Sequence, residues 1–158
     1  PLQLAVAYGA IANGGQRMRP YIIDRIRKPN GEETITTPRV VKQVISSKAA
    51  ATVGAMLVRV VQQGHGTRAG VPGYFVAGKT GTAQIPDLET GQYLANQTIG
   101  TFAGFAPVED PKFVMVVQLV KPKDVQFAES SAAPLFGDIA KFLLLHLGVA
   151  PSKTVARP

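Results

Sequence analysis

Two apolar runs, Thr98 to Ala106 and Lys112 to Val120, are separated only by Pro107-Val108-Glu109-Asp110-Pro111. Both are rich in β-branched and aromatic residues and read as strands. So short a connection cannot make the crossover that parallel strands require, so the two runs must be antiparallel neighbours. A third strand-like run, Tyr74 to Thr82, precedes them. Phe113 to Leu119 is apolar at nearly every position, as a strand covered on both faces would be. The chain is therefore built on an antiparallel sheet with helices on its faces, an α+β arrangement.

The remaining elements follow from period and punctuation. Pro1 to Asn13 reads as a helix, with proline in the first turn and Gly14-Gly15 ending it. Tyr21 to Arg27 and Glu33 to Thr36 flank Pro29-Asn30-Gly31, a hairpin signal. Ser46 or Ser47 caps a second helix that runs to about Gln63, with Val53, Met56, Leu57, Val60 and Val61 on one face. Ile85 to Gln97 is polar, contains Pro86 and Gly91, and reads as a loop. Pro134 to Leu147 is a third helix, with Gly148 and Pro151 beyond its end. Its apolar residues Leu135, Phe136, Ile139, Phe142, Leu143, Leu144 and Leu147 surround much of the axis, which predicts heavy burial. Three strands are too few to cover such a helix. The pattern points to part of a larger fold over residues 1–150, followed by a tail at 151–158.

Composition narrows the chemistry. With 158 residues, 46% of them apolar and 17% charged, the chain can bury a core. No apolar run approaches the roughly 20 residues needed to span a bilayer. The sequence begins at Pro1 without a methionine, so we expect a segment of a longer protein, with any membrane anchor upstream. Cysteine is absent, which excludes disulfides, thiolate catalysis and cysteine-built zinc sites. His65 and His146 form no metal pattern: the first reads as a loop residue, the second as the last turn of a helix. The formal charge is +7, and Arg17, Arg19, Arg25, Arg27 and Lys28 lie close together. A solvated face beside the hairpin accounts for them, and no nucleic-acid motif accompanies them.

Chemistry concentrates in Gly78-Lys79-Thr80-Gly81-Thr82, a cation, two hydroxyls and two glycines at the end of a strand. Gly73 to Thr80 fits the phosphate-loop pattern G-x-x-x-x-G-K-[ST] letter for letter. Its context does not fit: the variable positions are bulky and β-prone, and Gly81-Thr82-Ala83-Gln84-Ile85-Pro86 shows no helical period to hold phosphates. The stretch is instead similar to the Lys-Thr-Gly element of penicillin-binding proteins and serine β-lactamases. Three more blocks resemble class B penicillin-binding proteins, the peptidoglycan D,D-transpeptidases, in the same order. These are Pro1-Leu2-Gln3-Leu4-Ala5 through Gly14-Gly15, Phe102 to Pro107 with Asp110-Pro111, and Ala132-Ala133-Pro134-Leu135-Phe136. The resemblance covers about residues 1–150 and favours the cell-division type, through Tyr74 and Gly78 to Gln84.

That resemblance implies a five-stranded transpeptidase sheet, of which this chain carries the C-terminal half. It implies that Lys79 sits by the substrate carboxylate, and that Thr80 and Thr82 offer hydroxyls to a D-alanyl-D-alanine terminus or to a β-lactam. The Thr82 N–H becomes one oxyanion-hole donor, and Gly81 leaves room for the substrate alongside the strand. It further implies no cofactor and no metal, work on the extracytoplasmic face of the cell membrane, and cell-division proteins as candidate partners. The family also requires Ser-x-x-Lys and Ser-x-Asn elements. No lysine here has a serine three positions before it, and no Ser-x-Asn occurs. The nucleophile is therefore expected in an upstream half of the same domain, and this segment alone is expected to be inactive. A segment of a β-lactamase, of a penicillin sensor, or a non-catalytic binding fragment is the alternative.

Overall fold

The computed structural model describes residues 1–152 of the chain. It opens with helix α1 (Leu2–Ala12), which Asn13, Gly14 and Gly15 bring to a stop, both glycines having positive φ. Gly15 is required by close approach as well. A Cβ there would lie 2.1 Å from the Ile45 carbonyl oxygen, while its own carbonyl accepts the Val44 N–H at 2.9 Å. This contact starts a two-stranded ribbon of β1 (Gln16–Met18) and, later in the chain, β4 (Val40–Gln43), which the sequence did not reveal. Between them lies the expected hairpin, β2 (Arg25–Arg27) with β3 (Glu33–Ile35). It is shorter than predicted, because Tyr21 to Ile23 do not join the ladder and Asp24 adds only its carbonyl, which accepts the Thr36 N–H at 2.8 Å. All six of its strand residues are exposed.

Helix α2 (Ser47–Gln63) starts as expected, with the Ser46 hydroxyl accepting the Ala49 N–H at 3.1 Å. Its buried side is Ala50, Gly54, Leu57, Val58 and Val61. Met56, predicted to face the core, is 60% exposed. The true stripe is rotated towards the small residues, where the helix approaches Phe105 and Val108 closely at Gly54. A single 3-10 turn (Thr67–Ala69) then leads to the sheet.

The sheet consists of β5 (Ala77–Pro86), β6 (Tyr93–Ala106) and β7 (Phe113–Val120), antiparallel and in that order. Tyr74 to Val76 lie outside the ladder. The Tyr74 hydroxyl instead donates to the Val149 carbonyl at 2.7 Å. The predicted loop at 85–97 is mostly strand, because β5 and β6 continue past the end of β7 as a two-stranded ribbon reaching Pro86 and Tyr93. A tight turn closes it: the Asp87 carboxylate accepts the Glu89 N–H and the Thr90 hydroxyl, and Gly91 has φ +70°. A ribbon with no core beneath it carries polar residues on both faces, so alternation could not signal it.

Helix α3 (Ala132–His146) crosses one face of the sheet and meets Phe102, Val117, Val76 and the 3-10 turn through Ala132, Ala133, Phe136, Ala140 and Leu144. The Phe102 and Phe136 rings lie 4.6 Å apart at 54°. The other face packs Ala77 and Phe105 against Leu57 and Val58, with Tyr8 and Ile11 of α1 alongside. β7 is half-buried between the two layers, as its apolar run required. Heavy burial of α3 holds for one side only. Phe142 and Leu145 are 64% and 66% exposed, since the described residues provide a single layer for a helix that is apolar almost all round. The tail read at 151–158 lies outside the described residues from 153 onwards. Ser152 itself donates its N–H to the Gly73 carbonyl at 2.8 Å.

Candidate active-site strand

β5 is an edge strand that changes character within two residues. Ala77 and Gly78 are buried, and everything from Lys79 to Gln84 except the half-buried Thr80 is exposed. Gly78 is there for packing: a Cβ would lie 2.4 Å from the Phe102 ring. Gly81 is different. A Cβ there would meet nothing nearer than Thr101 at 4.0 Å, so packing does not demand a glycine. The sequence-predicted residues Lys79, Thr80, Gly81 and Thr82 thus follow one another along an accessible stretch of strand whose anchor is the buried Ala77-Gly78. The strand that continues through them leaves no place for the phosphate-loop reading, which needs a helix after Lys79-Thr80.

Thr80 and Thr82 line a cavity of about 250 Å³ together with His65, Phe127, Ala128 and Glu129. Their hydroxyls share one side of the strand because side chains two apart do so. Lys79 folds over its neighbour, with Nζ donating to the Thr80 carbonyl at 3.0 Å and to the Thr80 hydroxyl at 3.2 Å. Its ammonium is exposed and open to an incoming anion. The Thr82 hydroxyl accepts the Ala128 N–H at 3.1 Å. The cavity therefore offers two hydroxyls, one of them bonded to the Lys79 ammonium, and a wall of Phe127, Ala128 and Glu129; the ammonium and hydroxyls suit a carboxylate on an extended peptide.

The connection between β7 and α3 supplies that wall, and sequence reasoning missed it. The buried Thr98 donates its hydroxyl to the Gln126 carbonyl at 2.9 Å, and Ser131 donates to the Phe127 carbonyl at 3.1 Å. Gly100 leaves room for Ser131, since a Cβ there would lie 2.6 Å from its Oγ. Phe127, 56% exposed, stands free at the cavity. An isolated aromatic in a polar stretch was the one available signal. The His65 Nδ1 and a Glu129 carboxylate oxygen lie 2.7 Å apart at the same cavity.

Larger hollows lie elsewhere. One of about 570 Å³ runs between α1 and β1, lined by Leu2, Val6, Arg17, Met18 and Val41. It assembles no hydroxyl, carboxylate or imidazole, so size alone does not make it the site. Among the described residues no three His, Cys, Asp or Glu side chains converge as metal ligands. No serine lines the cavity beside Thr80 and Thr82.

Comparison with known proteins gives the family of the chain. The family described as "Penicillin binding protein transpeptidase domain" matches residues 1–141. Stage V sporulation protein D of Bacillus subtilis is 41% identical over 156 residues, covering 97% of this chain and 24% of that protein. Peptidoglycan D,D-transpeptidase FtsI of Buchnera aphidicola is 35% identical over 153 residues, covering 96% and 25%. The crystal structure of penicillin binding protein 3 from Mycobacterium tuberculosis complexed with ampicillin superposes with a TM-score of 0.88 at 39% identity, covering 99% of this chain and 37% of that one. The chain spans about a quarter of the length of the curated relatives it matches.

Proposed function

Because the chain belongs to the family of penicillin-binding protein transpeptidase domains, in its class B branch, we propose that it forms the C-terminal half of a serine D,D-transpeptidase that cross-links peptidoglycan. In this reading the segment holds the substrate and the other half of the domain reacts with it. The observation that carries it is the accessible run Lys79 to Thr82 on an edge strand, beside a cavity that already gathers the two threonine hydroxyls.

The roles are those the resemblance implies, and the exposure of Lys79 to Thr82 and the position of the two threonines at the cavity support them. A D-alanyl-D-alanine stem peptide lies along the open edge of β5 as an added strand, which the bare Gly81 permits. Its terminal carboxylate takes charge-assisted hydrogen bonds from Lys79 and hydroxyl donation from Thr80 and Thr82. The Thr82 hydroxyl is free to donate, because the bond it makes to Ala128 uses a lone pair and leaves its proton available. The Thr82 N–H stabilises the oxyanion of the tetrahedral intermediate, with the second donor coming from the serine of the missing half. Such a donor contributes roughly 3 to 4 kcal/mol to lowering the barrier. A β-lactam takes the same place in this proposal; that the mycobacterial neighbour is complexed with ampicillin supports β-lactam binding by the family. No helix among the described residues is long and apolar enough to cross a membrane. The extracytoplasmic membrane face, a membrane anchor and division partners belong to the complete protein in this proposal.

Fluorescent penicillin tests it. The 158-residue chain alone should take no covalent label, and the complete domain should label. Labelling of the isolated chain would reveal another nucleophile, and a folded complete domain that stays unlabelled would overturn the assignment.

A further inference from the structure

We propose that His65 and Glu129 form a clasp that positions the wall of the Lys79–Thr82 cleft; this rests on the substrate-binding reading above. His65 lies in the connection after α2 and Glu129 in the connection before α3, 64 residues away. Their side chains meet at 2.7 Å, and both border the cavity that Thr80 and Thr82 line. The wall segment has other ties, but these run to the sheet, to α3 or to its own neighbours: Gln126 to Thr98, Phe127 to Ser130 and Ser131, Ala128 to Thr82, Ser131 and Ala133. The pair instead fastens the segment to the α2 side of the cleft. Ala128 is already fully buried, its carbonyl accepting the Ser131 and Ala133 N–H groups; Glu129 beside it has its side-chain tie through His65, which adds a second side to the hold on the segment.

The consequence falls on Thr82. Its hydroxyl accepts the Ala128 N–H, so the placement of Ala128 sets how that hydroxyl is oriented towards a carboxylate. Glu129 and His65 touch no reacting atom in this scheme. They are positioning residues that act through Ala128. Both are accessible, with side-chain exposures of 82% for His65 and 41% for Glu129. With the imidazole protonated this is an exposed ion pair, which changes an equilibrium by roughly twofold to fivefold and weakens as salt rises.

The test uses the complete domain and two readouts: penicillin acylation over a range of concentrations, and hydrogen exchange at the Ala128 amide. Glu129→Gln and His65→Gln should each weaken the pre-covalent binding of penicillin by about twofold to fivefold at low salt, with the acylation step itself unchanged. Each should speed exchange at Ala128 by a similar factor. The double variant should be no worse than either single one, because they break the same contact. The swapped pair, His65→Glu with Glu129→His, should restore both readouts, which no separate role for either residue would do. Single variants that match the wild type, or losses that add in the double variant, overturn the clasp. If the wild-type domain does not label at all, the transpeptidase reading falls, and exchange at Ala128 alone decides the clasp.

Discussion

The two halves of the motif on β5 are adjacent in sequence and opposite in physical role. Ala77 and Gly78 belong to the core: the first is fully buried, and the second admits the Phe102 ring that packs at a tilt against Phe136 of α3. Lys79 to Thr82 belong to the surface, with an open edge and a free cavity beside them. The difference teaches that the glycines of one short motif need not share a reason. Gly78 is constrained by what is already packed against it, and Gly81 is left bare where nothing is packed.

Substitutions along β5 break or sharpen that contrast. The largest effect is expected at Lys79→Ala, which should lower penicillin acylation of the complete domain by about a hundredfold or more, by analogy with loss of an electrostatic donor. Thermal denaturation should be unchanged, since among the described residues the ammonium bonds only to its neighbour Thr80. Gly78→Val should do the reverse and attack stability, by about 1 to 3 kcal/mol, because its Cβ collides with Phe102 and the Ala103 carbonyl. Chemical denaturation checks this, and an unaltered midpoint would show that Phe102 yields freely. Gly81→Ala should leave stability within about 0.5 kcal/mol, as a surface change with open space around it. It should still reduce acylation severalfold, and a variant that acylates normally would mean that the substrate does not lie along this edge.

The smallest effect concerns the ribbon beyond the site. The Asp87 carboxyl is held below its ordinary value of 3.8 by hydrogen bonds from the Glu89 N–H and then from the Thr90 hydroxyl. A depressed carboxyl pKa contributes order above the unfolded value and loses it as pH falls through the folded one. The turn should therefore keep its order at neutral pH and loosen only below about pH 3.8, while the Ala77-Gly78 end of the strand remains protected. Amide exchange at Glu89 compared with Gly78 across that range would follow it.

Much of this arrangement was legible in advance, and the failures share a cause. The short connection of β6 to β7, a cap at Ser46 or Ser47 and a strand through Lys79 are local features, and the structure has all three, with the strand running on past Thr82 to Pro86. Among the misreadings were Met56 on the core side of α2, a loop where β5 and β6 run on as a ribbon, the unseen pairing of β1 with β4, and heavy burial of α3. Each required knowing what lies across from the element. A helical stripe can be rotated by small residues such as Ala50 and Gly54, and a helix apolar on every side does not say which side is covered.

By itself the sequence determined the antiparallel sheet, the three helices and the placing of a cation and two hydroxyls on one strand, because period, caps and connection length act between near neighbours. Only the tertiary structure decided that Gly78 serves the core and Gly81 the surface. It alone brought Phe127, Ala128 and Glu129 to the cavity, and His65 to meet them. Those approaches exist because α3 must return across the sheet to bury Phe136 and Leu144, and the connection that leads into it is carried to the edge of β5. Proximity of that kind is a product of packing between distant segments, and no spacing along the chain encodes it.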